Sequence, residues 1–265
     1  MVVATKNERR SPLKDLPVRQ AGQSLREERE RVIEDRFMPW LFAAAFACFY
    51  AAMQWVILVL KTGPMPWFWS MTAAITVVVC WRRFGKIRKE IKSIDLGMIG
   101  ERAVGQFLEE KLRPLGAQVL HDIPSDRGNI DHVVIHTSGI YTIETKTHSK
   151  PMKGQCIVKY DGENISVNGF TPDRDPIIQA QAEATALHKL LESSTGKRFK
   201  VQPVVLYPGW YVTATVQWPE VWVQNQNQFP TTLQYQKPFI PNEDVTLATY
   251  HLKRYVISET EQRAQ

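Results

Sequence analysis

Between Phe37 and Leu60 the sequence carries no charged side chain. A helix needs about 20 largely apolar residues to cross about 30 Å of hydrocarbon, so this run predicts a membrane-spanning helix. A second uncharged run, from Met65 to Trp81, is close to the lower limit for a span. Trp40, Trp67, Trp69 and Trp81 lie near the ends of the runs, where interfacial aromatic residues concentrate. Only Lys61-Thr62-Gly63-Pro64 separates the two, which predicts an antiparallel hairpin with both chain ends on one side.

After the hairpin the pattern becomes that of a water-soluble α/β domain. Leu96, Ile99, Val104, Phe107, Leu108 and Leu112 recur at helical spacing and predict a helix over 94–112, ended by Pro114 and Gly116. Strands are expected at Ala117–His121 and on both sides of a Ser138-Gly139 turn. A further hairpin joins Gln155–Tyr160 to Ile165–Val167 through Asp161-Gly162-Glu163-Asn164, extending the same sheet. Asp175 as N-cap and Pro176 at the first position predict a helix over 177–192. Strands then follow at Val201–Tyr207, Trp210–Val216 and Val221–Gln224, with a polar loop at Gln224–Gln228 and a final helix from Asn242 to about Ser258.

Charge sets the orientation. Arg82, Arg83, Lys86, Arg88, Lys89 and Lys92 follow the second run, and Arg26, Arg29, Arg31 and Arg36 precede the first; the intervening loop has only Lys61. Positive residues stay inside, so both termini and the C-terminal region are expected in the cytosol. These juxtamembrane cations, suited to anionic headgroups, account for part of the net charge of +6, which is therefore weak evidence for nucleic-acid binding. Residues 1–36 read as a mixed-charge, largely disordered tail whose end, from Ser24 to Asp35, forms a helix capped by Ser24. Cys48 and Cys80 fall in the apolar runs and Cys156 stands alone, so no disulfide framework is available.

Three charges stand inside apolar strand runs: Asp131 in the first, Glu144 and Lys146 in the second. Burying them unpaired would cost an effective several kcal/mol per ion. Glu144 and Lys146 are two apart and share a face. With Ser138 and Gly139 as the two turn residues, Thr137 pairs with Ile140, Asp131 lies opposite Lys146, and Glu144 is a diagonal neighbour. Two carboxylates and an ammonium so placed suit Mg²⁺- or Mn²⁺-assisted phosphodiester hydrolysis. The plainer alternatives are a turn acid at Asp131 and a solvated strand face at Glu144 and Lys146. His132 and His136 are about 13 Å apart along a strand, too far for one ion. His148 lies close enough to the site to contact substrate. Trp210, Tyr211, Trp218 and Trp222 could stack on bases, but packing in the core or on an edge strand is the expectation.

The order Gly97-Met98-Ile99-Gly100-Glu101, Asn129-Ile130-Asp131-His132, Ile143-Glu144-Thr145-Lys146 and Pro176-Ile177-Ile178-Gln179 resembles the nuclease-related (NERD) domain of the PD-(D/E)xK superfamily, over about Leu96 to Trp210. The resemblance implies a restriction-endonuclease-like mixed sheet flanked by helices, here preceded by two transmembrane helices. It implies Asp131 and Glu144 as metal ligands, Glu101 as a further acid reaching the metal, Lys146 as the catalytic lysine and Gln179 as a polar residue in the site. The expected organisation is a tail over 1–36, a hairpin over 37–81, a basic linker over 82–94, a nuclease-like domain over 95–210 and completing strands and helix over 211–265. The expected function is a Mg²⁺- or Mn²⁺-dependent nuclease acting on DNA or RNA, with DNA favoured, at a bacterial inner (plasma) membrane, homo-oligomerisation being left open. A non-catalytic nucleic-acid-binding or protein-interaction module on the same fold is the competing expectation.

Overall fold

The computed structural model describes residues 18–59, 66–125, 128–151, 154–217 and 219–264. The Lys61-to-Pro64 connection, Trp218 and the first seventeen residues lie outside them.

Helix α1 (Gln23–Arg31) passes through a π-helical segment (Val32–Phe37) into α2 (Met38–Val59). This continuous helix, Gln23–Val59, is long and apolar enough to cross a membrane, and only 11% of its most apolar window is buried, which sets it apart from a core helix. One such helix is present among the described residues, not the two expected. The second apolar run is instead the opening of the 47-residue helix α3 (Pro66–Leu112). Its uncharged stretch is too short, because Arg82 and Arg83 follow Trp81 directly. The two helices still lie side by side, with Trp55 donating to Ser70 Oγ at 2.9 Å and Tyr50 packed edge-on to Trp69.

The expected basic linker is helix throughout, and residues 18–36 are folded against it. Arg29 pairs with Asp95 at 2.8 Å and Arg36 with Glu90 at 2.5 Å, over an apolar seam of Val32, Ile87 and Ile94. The first helix begins at Gln23 rather than after Ser24, with Gly22 at its N-cap in the left-handed region. Ser24 is diverted because its backbone N–H donates to Asp122. Arg19 is buried and its Nε donates to the equally buried Asp122 at 2.6 Å. A mixed-charge composition thus folds where one of its cations meets a buried acid of the domain.

The main sheet has the order β1-β2-β3-β6-β8, formed by β1 (Gln118–Ile123), β2 (Ile130–His136), β3 (Gly139–Thr145), β6 (Val201–Leu206) and β8 (Trp222–Gln224). The β1-β2-β3 meander is antiparallel; β6 lies parallel to β3, reached through α4 (Pro176–Thr195), and β8 continues in parallel. Helices α3 and α5 (Gln228–Tyr235) cover one face around Val134, Tyr141, Ile143 and Val204. Helix α4 and the final helix α6 (Asn242–Ala264) cover the other around Val133, Ile135 and Ile140. Burial on both faces explains the unbroken apolar runs of the central strands. The second hairpin does not extend this sheet: β4 (Ile157–Tyr160) pairs with β5 (Ile165–Val167) on one side and with β7 (Tyr211–Ala214) on the other in a separate sheet, packed on Tyr207, Val205 and Val223. Helix α5 occupies residues after the Gln/Asn loop that carried no clear helical signal.

The turn between β2 and β3 is Thr137-Ser138, and His136 pairs with Gly139. The register therefore differs by two residues from the expected one. His132 opposes Ile143, which sets Asp131 beside Glu144 rather than Lys146. A shift of two keeps every side chain on its face, so Asp131 and Glu144 still converge, on the α4 side.

Gly100 of α3 packs on Thr147: a Cβ there would stand 1.7 Å from Thr147 Oγ1 and 2.7 Å from its Cβ. Gly100→Ala should therefore destabilise the protein by about 1–3 kcal/mol through overpacking, although alanine ordinarily favours a helix interior by about 1 kcal/mol. Thermal denaturation of the detergent-solubilised chain, with Gly85→Ala as a control in open space, checks this.

Candidate active site

Asp131 is the second residue of β2, and its Oδ2 accepts from the Thr145 backbone N–H at 2.8 Å. Across the ladder, Glu144 is buried near the end of β3. Lys146 lies one residue beyond the strand, fixed by its N–H to the Leu206 carbonyl at 2.9 Å. Its ammonium donates to Glu144 Oε1 at 2.5 Å and to Gln179 Oε1 at 2.7 Å. Gln179 is in the first turn of α4, whose start is set by Asp175 accepting from the Ile177 N–H at 2.8 Å, with Pro176 at the first position. Sequence spacing alone therefore places Gln179 once α4 docks on the sheet.

Gln179 donates through Nε2 to Glu183 Oε1 at 3.1 Å, bringing in an acid that the sequence reading missed. Glu183 is one helical turn on and buried among Ala180, Ala184 and Leu187. A carboxylate on the apolar stripe of a helix was the available signal. Burial and then the neighbouring Glu144 carboxylate push Glu183 up to about 10. At neutral pH it is thus protonated. Asp131 is likewise held well above the usual carboxylate range, by burial first and then by Glu144, Glu101 and Glu183.

Glu101 arrives from α3, on the opposite face of the sheet. Burial, then Asp122 and Glu144, raise it to about 8, while a hydrogen bond from the Gly22 N–H acts the other way. The structure so joins Glu144, Lys146 and Gln179 directly, places Asp131 beside Glu144 across the ladder, and sets Glu101 near them but tied to the N-terminal segment. Among the described residues, no three His, Cys, Asp or Glu side chains are disposed to hold a metal ion. The donor chemistry nevertheless fits a hard cation: carboxylate oxygens, with Glu144 Oε2 buried and without a hydrogen-bond partner among the described residues.

Residues 96–208 match the family model for NERD, the nuclease-related domain. The matched segment supports the NERD family and runs from Leu96 on α3 to just beyond β6, holding Glu101, Asp131, Glu144, Lys146, Gln179 and Glu183. No curated protein and no solved structure gives a match.

The other candidates in or beside the NERD segment have structural partners. His132 is fully buried and meets His121 Nδ1 to Nδ1 at 2.9 Å, while His136 bonds Ser138 Oγ and the Leu115 carbonyl. Burial, joined for His132 by the neighbouring His121, depresses both His132 and His136, so they are neutral. Trp210 is buried and Trp222 packs on Tyr141, whereas Tyr211 is 65% exposed. His148 stacks on Tyr207 with centroids 5.8 Å apart. The Tyr207 hydroxyl, buried without a partner among the described residues, is raised by burial and by the charges of Glu144 and Asp175.

Glu183 titrates ordinarily near 4.5 and here at about 10, so between those values the folded state binds the extra proton. Stability contributed by the neutral carboxyl is complete below about pH 4.5 and declines as pH rises toward 10. Glu183→Gln keeps the acceptor for Gln179 and abolishes the titration. Its Tm should equal the parent's near pH 4 and exceed it by about 3 °C or more near pH 9, as measured by circular dichroism melts across that range.

Proposed function

We propose that this protein is a membrane-anchored, metal-dependent phosphodiesterase acting on DNA or RNA from the cytosolic side. The observation that carries the reading is the ammonium of Lys146 held between Glu144 and Gln179 beside the half-buried Asp131, inside the nuclease-related segment.

Asp131 and Glu144 would hold Mg²⁺ or Mn²⁺, and neutralising their repulsion is what their buried setting calls for. The bound ion would supply a water of lowered pKa and polarise the phosphate. Lys146 places a positive charge where the pentavalent phosphorus gathers negative charge, and in a partly buried site that charge acts more strongly than in water. Gln179 fixes the direction of that ammonium through its carbonyl, and Glu183, protonated, anchors the amide of Gln179 while adding no further negative charge. Glu101 adds an acid whose reach to the ion depends on release from Gly22.

The anchor reading rests on Gln23–Val59 and on the surrounding arginines and lysines. Helix α3 continues from Trp81 to Glu101 without a break, so the site lies about 30 Å along one rod from the end of the second apolar run. Arg83 lies over the Trp40 ring at 4.3 Å, clasping the two helices at that level.

In detergent, the full chain should cleave labelled DNA or RNA oligonucleotides in Mg²⁺ or Mn²⁺. Asp131→Asn and Lys146→Ala should each lower the rate by about 10²-fold or more, with circular dichroism confirming folding. Undiminished rates in both variants would overturn the mechanism. Salt-sensitive binding without turnover in any metal would make the domain a nucleic-acid-binding module.

A further inference from the structure

Beyond Lys146 the chain runs through Thr147 to His148, whose ring is sandwiched into an aromatic corner. It stacks on Tyr207 at an interplanar angle of 10° and meets Trp210 edge-on with centroids 6.2 Å apart. Trp210 Nε1 donates to the His148 carbonyl at 3.4 Å. This corner opens into a cavity of about 500 Å³ whose lining includes His148, Lys150, Asn168, Phe170, Asp173 and Trp210.

Phe170 is the unusual member. It is 78% exposed, yet it sits in a closed turn: Val167 and Phe170 exchange backbone hydrogen bonds of 2.8 and 3.0 Å around Asn168 and Gly169. Both turn residues have positive φ, 49° and 85°, the requirement of a tight hairpin turn, which Asn-Gly meets at little strain. Asn168 further locks the turn to β4, its N–H donating to the Ile157 carbonyl and its Oδ1 accepting from the Ile157 N–H, both at 2.9 Å. A large aromatic ring is thus held in a fixed place in water at the wall of an aromatic cavity.

Lys150 supplies charge. Its Nζ lies 3.0 Å from where a Cβ would stand on Gly209, a position with φ of 75°, so glycine leaves room for the side chain to pass. No carboxylate pairs with Lys150 among the described residues. His148 is depressed by burial and by the neighbouring Lys146, which keeps its ring neutral and ties the corner electrostatically to the carboxylate site.

We infer that this cavity receives an unpaired nucleobase next to the scissile phosphate, so that the substrate is single-stranded nucleic acid. The volume is within the roughly 300–1,000 Å³ of small-molecule sites. Ring faces offer sequence-tolerant stacking to any base, but within a duplex both faces of each base are covered by its neighbours. Only an unstacked nucleotide can enter. Lys150 then meets the backbone phosphate, and Asn168 and Asp173 offer amide and acceptor groups to the base edge or sugar. The inference deepens the phosphodiesterase reading and rests on it for the word substrate.

The test is fluorescence anisotropy of the full chain in detergent with EDTA present, using a labelled single-stranded oligonucleotide, its matched duplex, and the same strand made abasic. The single strand should bind at least about tenfold more tightly than the other two. Phe170→Ala should weaken single-strand binding about tenfold or more, Phe170→Trp should restore it, and duplex binding should not move. Since Phe170 is exposed, its truncation leaves the core intact. Equal or tighter duplex binding, no binding of the single strand, or indifference to Phe170→Ala overturns the inference. So does a change of oligomeric state on sedimentation with oligonucleotide binding unchanged, which would make Phe170 a contact between copies. Parallel cleavage assays in Mg²⁺ and Mn²⁺ separate the two proposals. Phe170-dependent single-strand binding without turnover refutes the nuclease and keeps the base pocket, whereas turnover of duplex indifferent to Phe170 does the reverse.

Discussion

Repulsion among carboxylates gathered at a largely buried site is the constraint around which this domain is arranged. Glu101, Asp131, Glu144 and Glu183 are drawn from both helical layers and two strands, and the ammonium of Lys146 meets them at one point, Glu144. Carboxylates so crowded in a medium of low dielectric cannot all ionise without compensation. Compensation is shared out unequally. Glu183 holds a proton, Asp131 accepts a backbone N–H from Thr145, and Glu144 takes the lysine. The apolar packing of β2 and β3 on both faces supplies the rigidity that keeps these groups together against their repulsion.

The same logic reaches the N-terminal segment. Asp122, buried in a left-handed backbone conformation with φ of 53°, draws Arg19, the Ser24 N–H and Asn129 onto itself. Glu101 takes the Gly22 N–H. The glycines of α3 let these partners close in, since Gly105 faces Ala21 and Gly100 faces Thr147 with no space for a methyl group at either position. The apolar helix and the carboxylate site are therefore mechanically continuous, through α3 on one side and the Arg19-to-Ser24 segment on the other. A disturbance at the expected membrane end has a direct structural route to Glu101.

The base pocket and the carboxylate site share the stretch Glu144 to Lys150. Its residues leave β3 in sequence, first an acid, then the ammonium, then the histidine of the aromatic corner, then Lys150. Tyr207, at the end of β6, stands between them, with its ring on His148 and its hydroxyl near Glu144. The separate small sheet has its place in this arrangement: pairing β4 with β7 instead of the main sheet is what carries the Asn168-Gly169 turn and Phe170 to the cavity wall.

What the sequence by itself determined was set by short-range periodicity. The 3.6-residue and two-residue repeats placed α3, α4 and the central strands, and the two-residue repeat put Glu144 and Lys146 on one face before any pairing was known. Because an error of two in register preserves the face, Asp131 and Glu144 converged even though their ladder partners were misassigned. Local turn and cap chemistry fixed Asp175, Pro176 and hence Gln179. Tertiary structure alone decided the rest. It recruited Glu183 through the docking of α4, joined Arg19 to Asp122 across a hundred residues, gave β4 and β5 to β7, and turned the basic linker into the middle of a 47-residue helix. Each of these depends on which surfaces meet, and a buried charge chooses its partner by proximity in space, which no local pattern encodes.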